Sequence, residues 1–174
     1  MRQFMRGRAS LLMIVLSLIG VGISIYLTSV HYENVPLVCS NTGLIDCSRV
    51  LSSAYSTVPG TTVPISVPGL AWCLVAGALA FSVWKFGSDY SWPRVAQLVW
   101  TVVGIATVLY LVFVEIVKLH TICAWCTGLH VIILIMLIVA LLQLQNGEDD
   151  LDYADEEETD AAIIDRSQDR APVK

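Results

Sequence analysis

Four stretches of this chain are apolar over lengths that match the thickness of a lipid hydrocarbon layer, which leaves few options for its fold. They run over about residues 11–28, 69–84, 95–117 and 122–144. A span needs about 20 largely apolar residues. Inside lipid every backbone N–H and C=O must be paired within the protein, so such spans are helices. The expectation is an all-α membrane protein: a four-transmembrane-helix bundle with an extracytoplasmic loop over 29–68, carrying a half-helix cap between helices 1 and 2. A hydrophobic content of 56% in 174 residues is too high for a soluble domain of this size. The first span has the basic start of a signal peptide in Arg2, Arg6 and Arg8. Its apolar run is longer than an h-region, however, and no small-x-small cleavage pattern follows it before His31, so a retained helix is expected.

Orientation follows from the basic residues. Arg2, Arg6 and Arg8 precede the first span, and Lys85 and Arg94 flank the link between the second and third. The other two connections hold only Arg49 and Lys118. The positive-inside rule then puts both termini in the cytoplasm. The loop 29–68 and the short link 118–121 face outward. The formal charge of −5 is carried by the tail, where eleven acids from Glu148 onward meet only Arg166, Arg170 and Lys174. Three segments are thus expected: a basic cytoplasmic N-terminus over 1–10, a four-helix catalytic domain over 11–144, and an acidic, disordered cytoplasmic tail over 145–174. No internal repeat, phosphate-binding glycine loop or basic patch suited to nucleic acid is present.

Four of the five cysteines form two pairs on the outward side. Cys39 and Cys47 lie in the outer loop, and Cys123-Ala-Trp-Cys126 opens the fourth span. Outside the cytoplasm disulfides form and persist. Two pairs that can touch can relay reducing equivalents, because a thiolate attacks a disulfide sulfur through a mixed disulfide. Asp46 is expected to cap a short helix that puts Cys47 in its first turn, near Arg49, where the helix dipole favours a thiolate. Val50, Leu51 and Tyr55 give that helix an apolar side able to lie on the membrane. Pro59, Pro64 and Pro68 predict an extended strap from Thr57 to Pro68. Thr121 is the expected N-cap of the fourth span. Cys123 and Cys126, three apart, share one face of that helix. Cys123 is expected nearer water, exchanging with the loop pair. Cys126 is expected deeper, within reach of an apolar substrate.

Other readings stand beside this one. The cysteine pairs could be structural staples in a non-catalytic membrane protein. A zinc site of all four cysteines has an atypical seven-residue spacing in the loop, and no metal is expected. Haem attachment needs histidine after Cys126, where Thr127 stands. His130 is either a helix-packing residue or a ligand contact. Glu115, an acid inside a span, is either functional or snorkels to the surface. Cys73 is expected to be an inert apolar residue.

Cys39, then Cys47-Ser-Arg-Val-Leu-Ser-Ser, then Cys123-Ala-Trp-Cys126 at a helix start resembles the vitamin K epoxide reductase family in a bacterial, single-domain form. The stretch Val63-Pro-Ile-Ser-Val-Pro-Gly-Leu, Glu115, Trp125 and His130 also look like bacterial members, and the resemblance covers about residues 11–144. It implies a four-helix bundle around a quinone pocket, with menaquinone or ubiquinone as electron acceptor. It implies that Cys126 engages the quinone, that Cys123 exchanges with Cys47, and that Cys39 takes electrons from the partner. Ser53 matches a family hydroxyl near the active site. His130 falls where the animal enzyme has a quinone-contacting tyrosine, and Ile65 where it has a contacting asparagine. Many bacterial relatives carry a fused thioredoxin-like domain. Without one, the expected partner is a separate DsbA-like thioredoxin-fold protein, and the expected location is the bacterial inner membrane. The convergent membrane oxidase DsbB has its CxxC in the first outer loop, the reverse of the order here.

Overall fold

The computed structural model describes residues 2–33, 38–39, 45–86 and 92–145. Of the acidic tail expected over 145–174, only Gln145 lies within the described residues. Helix α1 is Arg2–Glu33, the short α2 is Cys47–Leu51, α3 is Ser66–Phe86 and α4 is Trp92–Phe113, which continues as a π-helical turn over Val114–Leu119. Helix α5 is Ala124–Gln145. Four of these helices are long and apolar enough to cross a membrane. The protein is an all-α membrane bundle. Its helices run past the apolar cores of the four stretches, because polar end residues continue the backbone ladder into the interfacial region at no cost in unpaired groups.

Residues buried in the bundle recur every three or four positions along each helix, the period of one helical face. On α1 the buried stripe is Ser10, Met13, Leu16, Ser17, Ser24 and Leu27. On α3 it is Cys73, Ala76, Ala80 and Val83. Small residues dominate this pair of faces, which allows close backbone approach where lipid supplies no hydrophobic drive. Ser17 Oγ donates to the Cys73 carbonyl at 2.6 Å. A methyl group built on Gly77 would lie 2.5 Å from Ser17 Oγ, and one on Gly20 would lie 2.7 Å from Cys73 Sγ. The opposite faces carry Leu18, Leu74, Phe81, Val99, Leu109 and Leu134, all exposed and apolar, which is the surface lipid would cover.

Helices α3 and α4 are joined by two tryptophans. Trp72 Nε1 donates to the Trp100 carbonyl at 3.3 Å, and Trp100 Nε1 donates to the Trp72 carbonyl at 3.2 Å. Their rings lie nearly parallel. Gly104 leaves the room for the Trp72 ring, since any Cβ there would overlap it. Pro93 and Pro68 sit in the first turns of α4 and α3, where a missing N–H breaks no helical bond.

Two local expectations differ from the structure. The segment from Thr57 to Pro68 does not simply extend. It folds back in a tight turn, with an antiparallel bridge between Thr57 and Pro64 and Thr61 N donating to the Val58 carbonyl at 3.0 Å. Gly60 has φ +79°. Pro59-Gly60 at the turn centre is the pair that a type II turn prefers, and this local chemistry outweighs the stiffness of the three prolines. Second, Lys118 is not in a link. It belongs to the π-helical turn that prolongs α4.

Candidate redox site

The site forms where the last turn of α4, the first turn of α5 and the loop around α2 converge. Its geometry begins with the end of α4. The π-helical turn closes on His120, which adopts the left-handed conformation with φ 51° and donates its N–H to the Glu115 carbonyl. Thr121 N donates to the same carbonyl at 3.2 Å. The chain then extends, and Ile122 pairs in a parallel bridge with Ile45 of the outer loop. Asp46 N donates to the Ile122 carbonyl at 3.2 Å. This bridge sets the segment leading into Cys47 beside the segment leading into Cys123. Both cysteines are fully buried, at 0% exposure.

Helix α5 starts at Ala124 rather than after Thr121, so Thr121 is not its N-cap. Cys123 takes that place, its own sulfur accepting from the Cys126 N–H at 3.3 Å. This is the capping geometry normally supplied by Ser, Thr or Asp. The bridge to Ile45 keeps residue 122 extended and delays the start of the helix. A sulfur at a helix N-terminus that receives an N–H is in the position that stabilises a thiolate. Cys126 Sγ lies 2.7 Å from Cys123 Sγ, so the two sulfurs are in direct contact.

Half of the expectation for this pair differs from the structure. Cys123 is not the water-facing member of the pair; it is wholly enclosed, because the loop segment 45–47 packs beside it. Cys126 is the partly accessible sulfur, and it lines a cavity of about 380 Å³ within the bundle. That volume lies within the range of small-molecule pockets. The cavity wall is mostly apolar and includes Leu27, Val108, Leu111 and Ile133. Ser53, Glu115 and His130 line it as well, and so does Ile65. The structure therefore brings Ser53, Glu115, Cys126 and His130 around one space. The Ser53 hydroxyl donates back to the Val50 carbonyl at 2.8 Å and closes the end of α2. Glu115 does not snorkel. It is buried and lines the cavity with Cys126, close to the Cys126 thiol and the Cys123 backbone N–H. Cys73 also lines the cavity, from α3.

In the loop, Cys39 and Cys47 form a disulfide with Cα atoms 6.2 Å apart. Asp46 caps α2 as the sequence indicates, Oδ1 accepting from Arg49 N at 3.0 Å. Cys39 is partly exposed whereas Cys47 is buried, which makes Cys39 the accessible sulfur of this bond. Sequence reasoning missed how Cys39 is held. Trp125 Nε1, from within the CxxC, donates to the Val38 carbonyl at 3.0 Å. Val38 N donates to the Tyr26 hydroxyl at 3.2 Å. The Tyr26 and Trp125 rings meet at 5.0 Å. Both backbone groups of the residue before Cys39 are thus clamped by side chains from α1 and α5. The only sequence signal for this was an aromatic residue inside the CxxC. Among the described residues no group of three or more His, Cys, Asp or Glu is placed to hold a metal.

Two thiols in contact at a helix start, one of them facing an apolar cavity inside a membrane bundle, together with a disulfide seated against that helix, define a membrane-embedded thiol–disulfide redox protein. Residues 11–141 match the model of the Vitamin K epoxide reductase family, and the chain belongs to that family. It is a family of membrane quinone-linked disulfide oxidoreductases. No curated protein matches the chain.

Proposed function

We propose that this protein passes electrons from a separate, reduced DsbA-like thioredoxin-fold protein to a membrane quinone, and so drives disulfide formation outside the cytoplasm. The observation that carries the reading is the division of labour at the CxxC. Cys126 faces the apolar cavity, while Cys123 is shut away from it beside the Cys47 segment. The cavity suits a quinone ring: its wall is apolar, with a few converging polar groups and a sulfur in reach. When bound, the quinone, as menaquinone or ubiquinone, takes up two electrons and two protons and leaves as the quinol.

The chain's own steps are exchanges. A thiolate of the partner attacks Cys39, the accessible sulfur, forming a mixed disulfide and releasing Cys47 as a thiolate. The partner's second thiol resolves the mixed disulfide, frees Cys39 and leaves the partner oxidised. Cys47 then attacks Cys123 of the Cys123–Cys126 disulfide and releases Cys126. Cys39 resolves the Cys47–Cys123 bond, which restores the loop disulfide and leaves Cys123 and Cys126 reduced. Each exchange forms one S–S bond as it breaks another. Trp125 and Tyr26 hold Cys39 in place through Val38. Ser53 and His130 line the space the quinone ring would occupy. The bias of Arg2, Arg6, Arg8, Lys85 and Arg94 supports cytoplasmic termini in the bacterial inner membrane, with the cysteine end of the bundle outward. On this reading residues 11–144 form the catalytic domain, between the short basic N-terminus 1–10 and the acidic cytoplasmic tail 145–174.

The test is Cys126→Ser. Its lone Cys123 is expected to attack Cys47 of the loop disulfide and release Cys39, accumulating a Cys47–Cys123 disulfide visible by non-reducing peptide mapping, and dithiol-driven loss of quinone absorbance is expected to be abolished. Normal turnover by this variant would remove Cys126 from the route. If the unaltered protein reduces no quinone, its loop disulfide is left as a structural staple.

A further inference from the structure

The π-helical turn at the end of α4 puts a carboxylate where a span would otherwise hold an apolar residue. Glu115 is 6% exposed, yet among the described residues no lysine or arginine lines the cavity it faces. A carboxylate is kept in such surroundings only by donors. The polar groups beside it are the Cys123 backbone N–H and the Cys126 thiol, the latter also donating to Cys123 Sγ at 2.7 Å. The first fixes the carboxylate against the start of α5. The second places it on the sulfur that faces the cavity. A π-helical turn is a local departure that recurs at functional sites. Here it also supplies the carbonyl that accepts from His120 and Thr121 and so steers the chain into Cys123.

From this geometry we infer that Glu115 is a catalytic residue: the base that takes the proton of Cys126 and delivers it into the cavity as the dithiol is oxidised. The inference rests on the reading of Cys126 as the quinone-facing thiol. The S–H bond of Cys126 breaks and its proton passes to a Glu115 oxygen, leaving a thiolate beside a neutral carboxyl. Formation of the Cys123–Cys126 bond releases two electrons and two protons in all. Both electrons go to the quinone, which is the oxidant. One proton reaches a quinone oxygen from Glu115, which returns to its carboxylate form. The other leaves Cys123 as its sulfur bonds to Cys126, and the quinol takes up its equal from solvent. A neutral acid–thiolate pair inside an apolar cavity separates less charge than a thiolate formed by releasing its proton to water. That is the advantage of a base held within the bundle.

The test uses reduced, quinone-free protein and follows alkylation of Cys126 by N-ethylmaleimide with peptide mass spectrometry across pH. A thiol and a carboxylate that share one proton offer a constant fraction of thiolate while that proton stays within the pair, so the native protein is expected to show a flat rate through neutrality. Glu115→Gln keeps an oxygen for the Cys123 N–H but cannot accept a proton. Its rate is expected to rise about tenfold per pH unit over the same range, as for an isolated thiol. Glu115→Asp is expected to recover a plateau. The other ionisable groups facing this region are Cys123, which caps α5, His130 from α5, Cys73 from α3, Tyr110 from α4, His31 from α1 and Tyr55 from the loop. All of them remain in the variants, so a common background titration would appear in every profile. A native profile that rises tenfold per unit overturns the inference without any variant, as does a flat Glu115→Gln profile. Neither outcome depends on quinone turnover, so the inference can fail while the proposed function stands. Failure of the native protein to reduce quinone would instead remove the function, and with it the acceptor of the Glu115 proton, whatever the alkylation profiles show.

Discussion

The clamp on Val38 gives the most direct quantitative expectation. Trp125→Phe removes the Nε1–H that holds the Val38 carbonyl at 3.0 Å and keeps an aromatic ring against Tyr26. A neutral hydrogen bond on a protein surface is worth a net of about 0.5–1.5 kcal/mol, or roughly two- to twelve-fold in the population held. Trp125→Ala also loses the ring pair, for which about 0.5–1.5 kcal/mol more is typical. The two losses together give about 1–3 kcal/mol, roughly five- to 150-fold. The reporter is the Val38 amide, whose N–H donates to the Tyr26 hydroxyl at 3.2 Å and is slowed in exchange while that bond is made. Hydrogen exchange on the oxidised protein, with the loop disulfide intact, is expected to speed up by the smaller factor in Trp125→Phe and by the larger in Trp125→Ala. Exchange at Trp72, on the α3–α4 brace, serves as the unaffected control. Unchanged Val38 exchange in both variants would mean that the disulfide alone fixes Cys39, and the positioning role of Trp125 would be lost.

Two further outcomes are expected. Cys39→Ala is expected to block electron delivery from a thioredoxin-fold partner and to spare reduction of the CxxC by a small dithiol; equal loss with both donors would show that Cys39 is not where electrons arrive. Gly20→Ala puts a methyl group 2.7 Å from Cys73 Sγ, and overpacking of this kind costs about 1–3 kcal/mol. Cys73→Ala is expected to leave activity intact and to relieve most of that cost in the double variant, read as thermal midpoints in detergent; additive losses would place the clash elsewhere.

The bundle was legible because lipid removes the alternatives. Once four stretches must hide their backbone groups, helices follow; which faces meet, through small residues such as Gly20, Ser24, Cys73 and Ala76, came only from the structure. Asp46 was legible for a local reason: a capping residue acts within one turn. The π-helical end of α4 was not, because no capping or breaking residue marks it, and the bridge it leads into joins Ile122 to Ile45, far apart in sequence. The same bridge misled the reading of Thr121, a good capping residue that the chain passes while still extended. The cavity-facing place of Cys126 follows from helix spacing, whereas the enclosure of Cys123 does not, because the loop around Cys47 covers it from the side. Glu115 stood out as an acid in a span, but only the widened turn gives its direction. Pro59-Gly60 was readable as a turn and was passed over for the count of prolines.

That widened turn also makes chain length a fixed quantity at one place. A regular α-helix turns about 100° per residue. Removing a single residue from 114–119 would let α4 relax into an ordinary end and swing everything after it by about that angle. Ile122 would then leave Ile45, and the sulfur that caps α5 would point away from Cys47. Ile116 and Val117 face outward, 55% and 48% exposed, so their identities are free to drift among apolar residues. What cannot drift is their number: in this part of the molecule a lost codon is a heavier lesion than an altered one.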